Sequence, residues 1–154
     1  MSKSQIKRLF LDTNIYIIGT QEADSDEAKI LHSIGYYGKE YTQFTAEIIL
    51  SEALIDQIRR VGKYLWKKDK AGLVLGIIWS RLNIHYVKPN QQWYHLFDQI
   101  NKIGNIPSED IEIYLTAKFG EVDCFVSGNR ELIKSISDFE CLTAQDFVAK
   151  YIQF

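Results

Sequence analysis

Arg8-Leu9-Phe10-Leu11-Asp12-Thr13-Asn14 decides the fold, because a short run of strand-forming residues stops abruptly at an acid. Strands in open parallel sheets present their C-terminal ends to the ligand crevice. A carboxylate in that position is delivered to the edge where chemistry happens, so Asp12 is the first candidate functional residue.

Outward from this stretch, strand and helix patterns alternate. Ile15 to Ile18 and a turn-rich acidic loop lead into Ala28, Ile30, Leu31 and Ile34, a helical pattern that stops at Gly35 and Gly38. The pattern predicts strand, loop, helix. Tyr41 to Phe44 reads as a short β-like segment. Thr45 then caps a longer helix in which Ile48, Ile49, Glu52, Leu54, Ile55 and Ile58 recur at helical spacing. Leu73 to Leu82 reads as helix, Ile84 to Val87 as strand, and Gln91 to Ile103 as an amphipathic helix, with Pro89 marking the turn between the last two.

Pro107-Ser108-Glu109-Asp110 opens the next helix, where the N-terminal dipole favours acids. Ile111, Tyr114, Leu115 and Phe119 continue its face up to Gly120. The chain closes with a strand over Asp123 to Ser127, a Gly128-Asn129 turn, a short helix Arg130 to Ile136, a strand Phe139 to Leu142 and a helix Thr143 to Tyr151. This alternation predicts an α/β fold with a parallel sheet and helices on both faces. No repeat, low-complexity tract or linker interrupts it, and 154 residues fit one domain, 1–154.

Composition narrows the function. With 46% hydrophobic and 25% charged residues the chain is an ordinary core-forming sequence, and its net charge of -2 argues against holding nucleic acid by bulk positive charge. A nucleic-acid partner must be engaged locally. No apolar run approaches a membrane span or a secretory leader, so a cytoplasmic protein is expected. Cys124 and Cys141 lie in apolar strand-like segments without a CxxC pair and read as buried thiols. His32, His85 and His95 sit on separate elements, which speaks against histidine catalysis or a zinc site.

Three acids remain. Asp12 ends the first strand, Glu52 stands inside a mostly apolar helix, and Asp110 begins a helix shortly before the fourth strand. Divalent cations such as Mg2+ prefer carboxylate oxygens, and acids from distant parts of a chain are how such ions are held for phosphodiester chemistry. Each has a plain structural alternative: a cap or turn for Asp12, an ion pair to a neighbouring helix for Glu52, a helix-dipole contact for Asp110.

Leu-Asp-Thr-Asn (11–14), Ile-Ile-Leu-Ser-Glu (48–52), Asp-Ile-Glu-Ile-Tyr-Leu-Thr-Ala (110–117) and Asp-Cys-Phe-Val-Ser-Gly-Asn-Arg-Glu-Leu (123–132) occur in order. Together they resemble the PIN domain family of metal-dependent ribonucleases, whose small members include the VapC-type toxins. The similarity runs to Leu142-Thr143-Ala144-Gln145-Asp146-Phe147, like the family's closing strand and helix. It implies a three-layer α/β/α fold with a central parallel sheet of four to five strands.

The resemblance also implies a site. Asp12, Glu52 and Asp110 match the family's first three acids, holding Mg2+ or Mn2+ for attack of an activated water on single-stranded RNA. Where the family often has a fourth acid after a Thr/Ser-Gly pair, Ser127-Gly128 is followed here by Asn129. Asn can offer only a neutral carbonyl oxygen, and Glu131, two residues on, is the substitute acid. Asn14 and Ser127 are candidate supporting residues, with Thr13 beside them, while Asp123 begins its strand and reads as structural. A toxin paired with a small antitoxin protein, forming a homodimer, is the expected biological setting.

Arg59, Arg60, Lys63, Lys67, Lys68 and Lys70 form the single basic cluster, with Tyr64 and Trp66 interleaved. Cations and aromatic faces together suit unpaired RNA, and a solvated helix end is the plainer reading. Trp79, Trp93, Tyr94 and Phe97 read as core or as an exposed patch for a partner. A receiver domain lacks its paired acid and lysine here, and a haloacid dehalogenase-type phosphatase lacks the second Asp where Asn14 stands. The standing rival is a catalytically weakened PIN-like module that binds RNA or protein, because Asn129 removes a charge.

Overall fold

The computed structural model describes residues 6–66 and 70–152. Five strands form one parallel sheet: β1 (Arg8–Leu11), β2 (Glu47–Ser51), β3 (Ile84–Val87), β4 (Cys124–Val126) and β5 (Glu140–Leu142). Their spatial order is β3-β2-β1-β4-β5. The helices among the described residues are α1 (Thr13–Gln21), α2 (Asp26–Ser33), α3 (Glu52–Leu65), α4 (Lys70–Arg81), α5 (Gln91–Ile103), α6 (Ser108–Phe119), α7 (Arg130–Ser135) and α8 (Ala144–Tyr151). This is the expected α/β/α architecture, with the upper of the two expected strand numbers.

The order matters more than the count. From β1 the chain builds outward through β2 and β3, then crosses back to lay β4 on the other flank of β1. β1 and β4 are thus neighbours whose connections leave in opposite directions. The crevice beyond their C-terminal ends is the switch point where open α/β sheets bind ligands. Register fixes what stands there: Leu11 pairs with Val126, and the next residues out are Asp12 and Ser127. Phe10 and Phe125, wholly buried and stacked at 4.9 Å, lock this pair of strands.

Asp123 secures the opposite end of the same pair. Its Oδ2 accepts from the backbone N–H groups of Lys7 at 2.8 Å and Arg8 at 2.9 Å, which fixes where β1 begins. Its structural reading holds. A second apolar cluster of Trp93, Ile111 and Leu115 joins α5 to α6, with Phe97 stacked on Trp93 at 5.5 Å. At the end of α6, Gly120 is required by space, because a Cβ there would stand 2.9 Å from Ile49 Cδ1.

Besides shifts of one to three residues at other ends, such as α4 at 70–81 against 73–82, two regions differ in kind from the sequence reading. The segment 13–21 is helix from its first residue, with no loop after β1, because Asp12 caps it: the Thr13 N–H donates to Asp12 Oδ1 at 2.8 Å. The second strand is 47–51, not 41–44, and Thr45 caps nothing: the cap of α3 is Ser51, whose Oγ accepts from the Leu54 N–H at 3.3 Å. The run Ala46-Glu47-Ile48-Ile49-Leu50 is buried on both faces of a parallel sheet, so its strand pattern does not alternate and passes for helix.

Candidate active site

At the switch point a polar groove of about 380 Å3 is lined by Asp12, Thr13, Asn14, Gln57, Arg60, Val61, Glu109, Asp110, Gly128 and Asn129. Five elements supply them. Asp12 comes from the end of β1 and Asn14 from the first turn of α1, where it is exposed to the groove. Gln57 and Arg60 come from α3, Glu109 and Asp110 from the first turn of α6, and Asn129 from the cap of α7.

Asp12 is the most constrained of these. Ser127, buried at the end of β4, donates its hydroxyl to Asp12 Oδ2 at 2.7 Å, while Oδ1 takes the Thr13 N–H. Burial pushes the Asp12 carboxyl above the ordinary carboxylate range. The hydrogen bonds from Ser127 and Thr13 oppose that rise, and the charge of Asp110 adds to it. Both carboxylates line the same groove. Each carboxylate has about four lone-pair sites, so Asp12 keeps acceptor capacity after its two bonds.

Asn129 does something the sequence did not reveal. Its Oδ1 accepts from the Leu132 N–H at 3.1 Å, capping α7, and this orients the amide so that Nδ2 donates to Asp110 Oδ2 at 3.3 Å. The side chain presents its NH2 group to the acid, and its carbonyl oxygen is committed to the helix. It is placed in the groove as expected, as a donor to a carboxylate and not as an oxygen ligand. Ser127 ties the two halves together, since its Oγ also accepts from the Asn129 N–H at 3.0 Å.

Glu52 is not brought into this groove. It is the exposed first residue of α3, at the C-terminal end of β2, and lines a separate cleft of about 600 Å3 with Asp56, Asp98, Glu112, Tyr86, Tyr94 and Phe97. The side of α3 that meets Asp12 is fixed by Thr13, whose hydroxyl donates to Gln57 Oε1. At about 100° per residue, Glu52 and Gln57 point roughly 140° apart around the helix. Gln57, a neutral amide, thus stands where an acid was expected. The sequence signal for it was available only once Ser51 is known to start the helix. Glu131 is exposed in the first turn of α7 and does not line the groove. Among the described residues no three of His, Cys, Asp or Glu are grouped to hold a metal ion.

Two members of the basic cluster are engaged in ion pairs. Arg59 pairs with Asp56 at 3.2 Å, Arg60 pairs with Glu109, and Lys63 is exposed. Lys67 and Lys68 lie outside the described residues. Trp66 is buried, with Lys70 over its ring at 4.9 Å, while Tyr64 is 88% exposed. Trp79 and Tyr86 stack partly exposed at 5.9 Å. Cys124 is buried as expected and Cys141 is half-buried. No described helix is long and apolar enough to cross a membrane.

No protein-family model matches the chain, and no curated protein matches it in sequence. Solved structures do match in shape. VapBC2 from Rickettsia felis, bound to a DNA fragment from its promoter, aligns at 15% identity with a TM-score of 0.62, over 88% of this chain and 98% of that one. VapBC-1 from nontypeable Haemophilus influenzae aligns at 15% identity and TM-score 0.61, over 90% and 98%. FitAcB from Neisseria gonorrhoeae gives 16%, 0.57, 89% and 98%. The fold is that of a PIN domain. Identity this low speaks for the PIN fold alone, and the chemistry has to be argued from the groove. In the PIN fold of this chain the switch-point crevice carries three acids, Asp12, Asp110 and Glu109, the last paired with Arg60, and three neutral amides, Asn14, Gln57 and Asn129.

Proposed function

We propose that the chain is a divalent-cation-dependent endoribonuclease acting on single-stranded RNA in the Asp12 groove. The observation that carries this reading is the pairing of two carboxylates at the switch point, each held by neutral donors: Asp12 by Ser127, Asp110 by Asn129. A structural acid at a strand end needs no second acid facing it. The charge of Asp110 adds to the cost of ionising the buried Asp12, and a cation bound beside them would lower that cost.

The residues fit Mg2+ or Mn2+ in one specific manner. Mg2+ is commonly held by one or two carboxylates, with the rest of its shell supplied by waters and substrate phosphate. Asp12 and Asp110 are the residues that would hold it, and the amide of Asn129 keeps Asp110 turned toward the site. A cation bound there would polarise the phosphodiester and make a nucleophilic water available at neutral pH. The chain's own residues orient and screen. Ser127 and the Thr13 N–H fix the Asp12 carboxylate, Asn14 offers an amide at the groove wall, and Arg60 offers the positive charge a phosphate requires.

With Glu109 paired to Arg60, Asp12 and Asp110 are the two groove acids left for a cation, so its binding should be weak without RNA and strengthened by it. The setting we propose is the toxin of a toxin-antitoxin pair with a small protein partner that masks this groove, because the structures that share its fold are VapBC and FitAcB assemblies. The test is cleavage of an unstructured RNA by purified protein with Mg2+ or Mn2+. Cleavage that survives EDTA would overturn the cation reading, and absence of cleavage with any divalent ion would favour the RNA-binding or protein-binding module.

A further inference from the structure

Arg60 is the one cation among the described residues lining the groove, and it stands among three acids there: Asp12, Glu109 and Asp110. Its guanidinium is paired across the groove, from α3 to the first turn of α6, with the carboxylate of Glu109, the residue next to Asp110. Both side chains are well exposed, at 61% and 52%. A guanidinium fork binds carboxylate and phosphate with the same planar geometry. An exposed ion pair of this kind shifts an equilibrium by about fivefold at most, so exchange of one anion for another is easy.

We propose that Glu109 occupies Arg60 as an intramolecular stand-in for substrate phosphate, and that RNA enters the groove by taking Arg60 from it. Resting on the ribonuclease reading, this assigns a positioning residue and a built-in brake to the same site. An anionic groove otherwise repels the polyanion it must admit. With Arg60 pre-extended over the groove by Glu109, the cation is already where a phosphate beside Asp12 and Asp110 would sit. The exchange then releases Glu109 to solvent without moving the backbone of either helix.

The experiment measures binding of a labelled 12-nucleotide oligouridylate by fluorescence anisotropy in EDTA, across 50 to 300 mM KCl. One phosphate contact on a single strand contributes about 0.7 to the slope of log Kd against log salt. Arg60→Ala should weaken binding and lower that slope by about 0.7, and Arg60→Lys should restore the slope. Glu109→Gln should tighten binding by about two- to fivefold at low salt, the span of a broken exposed pair. It should do nothing in the Arg60→Ala background, since the pair acts as a unit.

An unchanged slope in Arg60→Ala would overturn the assignment of Arg60. Equal tightening by Glu109→Gln in both backgrounds would show that Glu109 merely repels phosphate, which overturns the latch. Wild-type protein that binds no oligouridylate at any salt, in EDTA or with Mg2+ added, would sink the RNA reading itself, and this inference with it. Binding with an unchanged Arg60→Ala slope would sink the inference alone.

Discussion

Replacing Asn129 with aspartate tests how the groove is built. Asp caps a helix as well as Asn does, so the bond from the Leu132 N–H survives. The change falls on the other end of the side chain, where an NH2 donor to Asp110 Oδ2 at 3.3 Å becomes a carboxylate oxygen. The lost hydrogen bond is long and half-exposed, worth about 1 kcal/mol. Two unit charges at that separation repel by about 1 kcal/mol in bulk water and about 5 at an effective dielectric of 20. The side chains can turn apart at the solvent-facing mouth, so the low end applies.

Together, about 2–4 kcal/mol of apo stability should be lost, a fall in Tm of roughly 5–15 °C for a domain of this size. Added Mg2+ should return most of it, because the same two oxygens become ligands. At a hundred times its Kd an ion contributes about 2.7 kcal/mol. The assay is thermal unfolding in EDTA and in graded Mg2+, with Asn129→Ala as the control that loses the cap without gaining repulsion. Equal Tm for Asn129→Asp and wild type in EDTA, with equal Mg2+ shifts, would refute the placement of Asn129 against Asp110.

Asp12→Asn keeps an acceptor for the Thr13 N–H while removing the buried charge. Because burial raises the Asp12 carboxyl in the folded protein, the fold binds that proton more tightly than the unfolded chain does, whose carboxyl titrates near about 3.9. Wild-type stability in EDTA should therefore fall as pH rises from that value through the raised folded one. Urea titrations should show the advantage of Asp12→Asn over wild type larger at pH 7 than at pH 4, and a constant difference would contradict the burial argument. Ser127→Ala removes a buried hydroxyl that serves both Asp12 and Asn129 and should cost about 1–3 kcal/mol in urea unfolding; no loss would mean neither bond matters. Gly120→Ala drives a Cβ into Ile49 and should cost about 1–3 kcal/mol by overpacking, which a neutral result in the same assay would disprove.

How far the sequence carried is visible in single residues. Asp12 was legible because a strand ending in an acid is a local pattern, and Asp110 because Pro107 and the following acids mark a helix start. Gln91–Ile103 was read to the residue from its amphipathic period after the turn at Pro89, and the structure adds the reason its ends fall there, a cap by Asn90 and a left-handed Gly104. Glu52 was read inside its helix, not at its start, because a doubly buried strand has no alternation to separate it from helix. Moving the start of α3 to Glu52 rotates which side of it faces β1, and only the tertiary contact from Thr13 to Gln57 decides that. The orientation of the Asn129 amide was illegible for the same reason: it depends on a cap at Leu132 and an acid from another helix.

Asp12 and Asp110, without Glu52, form the proposed nuclease centre. The direct measurement is the single-turnover cleavage rate of an unstructured RNA in Mg2+ for wild type, Asp12→Asn, Asp110→Asn and Glu52→Gln, each checked for folding by thermal unfolding. The first two variants should lose cleavage by two orders of magnitude or more, as expected (about 10²–10³) when an electrostatic group at a reacting centre is removed. Glu52→Gln should cut within about threefold of wild type, the scale of a surface change worth roughly 0.5 kcal/mol. An inactive Glu52→Gln beside an active Asp110→Asn would contradict the account and move the centre to the cleft on the other side of α3.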